Sequence, residues 1–118
     1  MAAKHNLGRY GEDLAARFLT SAGMDLLDRN WRCPHGELDI IARDGSDVVI
    51  VEVKTRRSCA FGPPAEAVTR DKLARLRRLA AAWLAQQELG FEGVRIDVVA
   101  IDVGPNGAAR VEHLRGVT

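Results

Sequence analysis

Residues 37–54, ELDIIARDGSDVVIVEVK, decide the fold. Glu37 to Arg43 reads as a strand, Asp44-Gly45-Ser46-Asp47 as a hairpin turn, and Val48 to Lys54 as a second, β-branched strand. Alternate side chains of a strand share a face. Glu37, Asp39 and Ile41 are therefore expected on one face, with Leu38, Ile40 and Ala42 on the other. On the second strand Ile50, Glu52 and Lys54 share a face, and Val49, Val51 and Val53 share its opposite. A two-residue loop at Gly45-Ser46 pairs Asp44 with Asp47, and a four-residue loop pairs Arg43 with Val48. Both set Asp39 opposite Glu52 and Glu37 opposite Lys54, whereas a three- or five-residue loop breaks this register. Directly opposed residues hold their Cβ atoms about 4.5–5.5 Å apart, so two carboxylates there repel and weaken the sheet.

A divalent cation gives such a pair a purpose. Mg²⁺ prefers oxygen and is commonly held by one or two carboxylates together with water and substrate phosphate. Asp39 and Glu52 supply two carboxylates, and the Val53 carbonyl adds a third oxygen. Lys54 stands about 6.6 Å further along the face of Glu52. From there an ammonium reaches a scissile phosphate or helps to deprotonate an attacking water. These parts suit phosphodiester hydrolysis, because a bound cation polarises the phosphoryl group and acidifies water. The simpler reading is a cross-strand ion pair between Glu37 and Lys54, with Asp39 and Glu52 reaching water at a sheet edge. Short D…ExK patterns recur by chance.

Working outward, residues 6–22 carry Leu7, Tyr10, Leu14, Phe18 and Leu19 at helical spacing, with Asn6 as a cap and Gly23 as a stop. Residues 25–32 suit a short strand, followed by a turn at Pro34-His35-Gly36. Residues 55–64 read as a loop. Residues 65–89 read as a helix with Pro64 at its start, Thr69 as the cap of a second segment, and Gly90 as its end. Val94 to Asp102 is another strand, and residues 108–114 close a second hairpin. The order α-β-β-β-α-β-β predicts an α/β fold: a mixed central sheet of about five strands flanked by two main helices.

With 118 residues, the whole chain, 1–118, is expected to form one domain. Its 47% hydrophobic content and net charge of +1 argue against intrinsic disorder. No apolar run approaches the roughly 18 residues of a membrane span, so no membrane association is expected. The N-terminus lacks a signal peptide's apolar core. Cys33 and Cys59 make no disulfide framework, and a reducing cytoplasm is the expected compartment. Charge is uneven: from Lys54 to Arg78 eight bases meet two acids. Such a segment suits phosphate, or forms a solvated helix face. Cys33, His35 and Cys59 match no closed zinc site. Trp31 and Trp83 sit in apolar surroundings and are expected in the core. Arg75 and Arg78 lie opposite the second helix's apolar centre and are expected to face solvent.

The chain resembles the YraN family, bacterial proteins with a restriction-endonuclease-like fold. The resemblance is carried by Gly11-Glu12, Asn30-Trp31-Arg32, GELDIIA at 36–42, VEVKTR at 51–56, Phe61-Gly62-Pro63, Lys72 and RIDVVAI at 95–101. That family in turn resembles archaeal Holliday-junction resolvases and other PD-(D/E)xK nucleases. The resemblance implies that Asp39, Glu52 and Glu12 bind Mg²⁺ or Mn²⁺, and that Glu12, Asp39, Glu52 and Lys54 form a catalytic set. Leu38 stands where the PD element has proline, a change that removes no ligand. Arg56, Arg57 and Lys72 are expected to contact nucleic-acid phosphates, and Glu37 to partner Lys54. The expected function is a metal-dependent DNA endonuclease, with branched or structured DNA as substrate and a homodimer as its assembly. The alternative is a nucleic-acid-binding module without turnover on the same fold.

Overall fold

A computed structural model describes residues 2–57, 68–88 and 90–117, with side chains from Leu7 onward. The elements are α1 (Ala2–Ser21), β1 (Asp25–Cys33), β2 (Gly36–Asp44), β3 (Asp47–Arg57), α2 (Arg70–Leu84), β4 (Gly93–Val103) and β5 (Ala109–Leu114). This is the expected order. The five strands form one mixed sheet in the order β1-β2-β3-β4-β5. Only β3 and β4 run parallel. A parallel pair needs a long crossover, and α2 lies on that connection.

Several boundaries differ from expectation. Helix α1 begins at Ala2, so Asn6 lies inside it rather than at its start; Ala2 and Ala3 are strong helix formers. Gly23 does end the helix. At φ 97° its amide donates to Thr20 O, while Met24 N donates to Leu19 O, a left-handed cap that a β-carbon would oppose. Strand β3 runs on through Thr55, Arg56 and Arg57, expected as loop, because β4 offers them partners up to Val103. Helix α2 starts at Arg70, with Thr69 Oγ1 accepting from Lys72 N at 3.1 Å, and ends at Leu84 well before Gly90. Beyond Leu84 the chain turns polar at Gln86, Gln87 and Glu88, leaving no apolar face to hold another turn against the sheet. The expected helix start at Pro64–Ala65, Cys59 and Phe61-Gly62-Pro63 lie outside the described residues.

Two cores pack on the two sides of the sheet. Ala15, Ala16 and Leu19 of α1 meet Ile40, Ala42, Val49, Val51, Val99 and Ile101. Leu76, Leu79, Ala80 and Trp83 of α2 meet Leu38, Ile41, Val48, Ile50 and Ile96. Trp83 is buried in this second core as expected, and Trp31 packs against it. The expected alternation holds along β3 and from Ile40 to Ala42. It fails at Leu38, which joins Ile41 in the α2 core. The break centres on Asp39. Opposite it on β1 is Asn30, which takes a left-handed φ of 54° between the ladder pairs Arg29↔Ile40 and Trp31↔Leu38.

A close approach fixes α1 on the sheet. A β-carbon at Gly11 would lie 1.8 Å from Thr55 Oγ1, so only glycine fits where the helix crosses β3. Glu12 is thereby carried toward the end of β3 that bears Glu52 and Lys54.

Candidate active site where β2 and β3 part

The turn at Gly45-Ser46 has two residues, and the ladder runs from Asp44↔Asp47 to Ile40↔Val51 in the expected register. Bonded pairs alternate in an antiparallel ladder. From Asp44/Asp47 they continue through Ala42/Val49 and Ile40/Val51, and Leu38/Val53 would come next. Instead the Val53 amide donates to Asp39 Oδ2 at 2.9 Å. Pairing ends one step short of Asp39 and Glu52, so the direct opposition expected of them is replaced by a parting of the strands. A side-chain oxygen takes the place of a backbone acceptor. Because a residue's N–H and C=O point to the same side of its strand, the Val53 carbonyl also faces the parting.

Asp39 sits in a field that disfavours its charge. Burial is the main cause, and it outweighs the Val53 hydrogen bond; Glu52, Glu12 and Glu37 add repulsion in that order, and the carboxyl is pushed up to about 7. The two acids singled out in the sequence therefore share one electrostatic pocket, and Glu12 reaches it from α1.

Glu52 is mostly buried, and its Oε2 lies 2.7 Å from Lys72 Nζ. Burial works against the Lys72 ammonium, yet the bond to Glu52 and that carboxylate's charge outweigh it and hold the pKa of Lys72 above the ordinary lysine range. Lys54 moves the opposite way. A hydrogen bond with Lys72, burial and the Lys72 charge push it down, against the pull of Glu52 and Asp39. Of the two lysines, Lys72 is the one that stays charged and Lys54 the one that gives up its proton more readily.

The other sequence candidates are distributed around this centre. Lys72 lies inside the site, paired with Glu52. Arg56 Nε lies 2.6 Å from Asp102 Oδ1, its register partner on β4. Arg57 is exposed at the end of β3. Glu37 does not partner Lys54; its ion pair is with Arg32, its neighbour in the β1–β2 ladder, at 3.4 Å. The pairing of β1 with β2 persists here while that of β2 with β3 has ended, which is why Glu37 is held from that side.

A cleft of about 830 Å³ opens beside these acids, lined by Arg9, Glu12, Arg29, Asn30, Arg32 and Glu37 among others. Arg29 is tied to Asp13 at 2.8 Å and lies 4.0 Å from Glu12. Sequence reasoning gave no role to these arginines. Asn30-Trp31-Arg32 was the one signal in the sequence, and its meaning depended on the β1–β2 pairing.

The donors fit a hard divalent cation in kind: two carboxylates and a backbone carbonyl, all oxygen, one of the carboxyls raised in pKa by burial and then by neighbouring acids. Among the described residues no three His, Cys, Asp or Glu side chains converge as a metal-binding group. Asp39 and Glu52 are the side chains that would hold such an ion with the Val53 carbonyl, while Glu12 acts on Asp39 by charge.

The model of the uncharacterised protein family UPF0102 matches residues 11–101. The chain belongs to this family. The YraN family resembled in the sequence is the same one. Among its UPF0102 relatives, the protein of Beutenbergia cavernae is 62% identical over 117 residues, 99% of both chains. That of an Arthrobacter species is 58% identical over 117 residues, again 99% of both. The Frankia alni protein is 55% identical over 116 residues, 98% of this chain and 97% of its own. The span matched by the UPF0102 model holds every candidate residue, from Glu12 to Lys72, and ends within β4.

Proposed function

We propose that this UPF0102 protein is a metal-dependent hydrolase of nucleic-acid phosphodiesters, a DNA endonuclease of the PD-(D/E)xK type that takes branched or structured DNA. One observation carries the reading: a half-buried aspartate, raised to a pKa of about 7 by loss of solvent and three acids, is gripped by the Val53 amide where two strands part. A purely structural carboxylate would be expected to have a cationic partner. Asp39 and Glu52 would hold Mg²⁺ or Mn²⁺ with the Val53 carbonyl. Such an ion supplies charge to the phosphoryl oxygens and lowers the pKa of water. Lys54, its own pKa lowered, accepts a proton from the nucleophile and orients it. Lys72 neutralises Glu52 and keeps that side chain aimed into the site.

The test is cleavage of linear, flapped and four-way DNAs with Mg²⁺ or Mn²⁺, beside the Glu52→Gln variant and an RNA competitor. The expected result is metal-dependent cleavage that the variant loses by roughly 10²-fold or more, as when one charge-stabilising group is removed. Equal rates for variant and wild type would remove the site from the chemistry. The ion pair of Lys72 with Glu52 favours a second reading, a binding module in which an ammonium takes the cation's place permanently. That module binds DNA equally well in EDTA, and Asp39→Asn leaves its affinity unchanged or raises it by removing a negative charge.

A further inference from the structure

Helix α2 carries Lys72, Arg75 and Arg78 at a spacing of three residues, on adjoining turns. Lys72 is fixed at Glu52. Arg75 is near enough to Lys72 for its charge to act on it. Arg75 and Arg78 then rim a second cavity of about 390 Å³, with Cys33 and His35 from the tip of the β1–β2 hairpin and Leu79 and Ala82 from α2. Both arginines are exposed, and among the described residues neither makes an ion pair. The cavity has an apolar floor and a cationic rim, and the row of bases runs to it directly from the candidate active site.

We propose that this row and cavity form the seat of a nucleic-acid strand next to the reacting phosphodiester, with Arg75 and Arg78 on successive phosphates and a nucleotide lodged between His35 and Leu79. The occupant follows from charge and continuity. At a rise of about 1.5 Å per residue, Arg75 and Arg78 are offset by roughly 4.5 Å along the helix. That is about one step at the ~3.4 Å spacing of phosphates along a stacked strand, and the length of the side chains takes up the difference. Guanidinium groups without carboxylate partners are suited to bidentate phosphate contacts. An acidic protein surface would meet the same arginines but would leave the apolar floor and His35 unused. The proposal rests on the reading that the chain acts on nucleic acid, but it does not require cleavage.

The test measures binding of a fluorescent four-way DNA in EDTA across a salt series, for wild type, Arg75→Ala/Arg78→Ala, and Arg77→Ala/Arg110→Ala as a charge-matched control from exposed positions outside the cavity. Each lost phosphate contact lowers the slope of log affinity against log salt by about 1. A slope lower by about 2 in the cavity variant, with the control at the wild-type slope, is the expected result. Equal slopes in both variants overturn the seat while leaving the hydrolase reading intact. Wild type that binds but does not cleave with Mn²⁺ overturns the hydrolase and not the seat. Absence of wild-type binding to DNA and to RNA overturns both.

Discussion

Asp39 concentrates what is unusual about this protein at the scale of one residue. Its carboxyl has a pKa near 7 in the fold and about 3.9 in an unfolded chain. Between those values the folded protein keeps a proton that the unfolded chain has lost. The stabilising contribution is complete below about pH 4 and disappears as pH rises through 7, up to a bound of about 4 kcal/mol. Asp39→Asn removes this dependence while keeping an oxygen for the Val53 amide. Without metal, the variant is expected to be more stable than wild type at pH 8 by about 1–4 kcal/mol and no more stable at pH 4. Urea unfolding at the two pH values measures this, and equal differences at both would contradict a raised pKa.

Among the elements, α1 and β3 are joined most tightly at Gly11, where Thr55 leaves no room for a side chain. Gly11→Ala must lift the helix or turn Thr55 aside. It is expected to cost about 1–3 kcal/mol, the usual penalty of overpacking. The same substitution moves Glu12 away from Asp39, so the titration of Asp39 followed by NMR is expected to shift down toward ordinary values. Loss of stability without that shift would separate the helix contact from the site. Combined with Thr55→Ala the two effects are expected to be non-additive, since they share one contact.

At the scale of the whole molecule, a buried clasp on β4 holds the segment after β5. Asp97 is fully buried and accepts from Arg95, from the Gly116 amide at 2.9 Å, and from His113 Nε2 at 2.7 Å. Burial works to raise its carboxyl, but Arg95, the Gly116 amide and His113 together hold it below the ordinary value. Val117 N adds a bond to Ile96 O at 2.8 Å. Asp97→Asn leaves Arg95 and His113 without their shared charge and is expected to cost about 3 kcal/mol, the low end for breaking a buried pair. Arg95 keeps Asp44 at 3.0 Å as a second partner, which is why the low end applies. Urea unfolding measures the loss, while an unchanged NMR titration of Asp39 would confirm that the clasp is independent of the site.

The sequence determined the strand pattern, the turn at Gly45-Ser46, the register that leads toward Asp39 and Glu52, and the burial of Trp83. These follow from local rules: two-residue periodicity, turn geometry and β-branched runs. It also marked Lys54, from its place two residues beyond Glu52 on one strand face, and Glu12, through resemblance alone. Only the tertiary structure decided that the ladder stops before Asp39, that Glu37 belongs to Arg32, and that Lys72 closes on Glu52. It alone placed Arg75 and Arg78, solvent-facing as expected, at the rim of a cavity. Each of these depends on which of two neighbours holds a strand, or on how a helix crosses a sheet, and those competitions are settled by packing across long stretches of chain that no local pattern records.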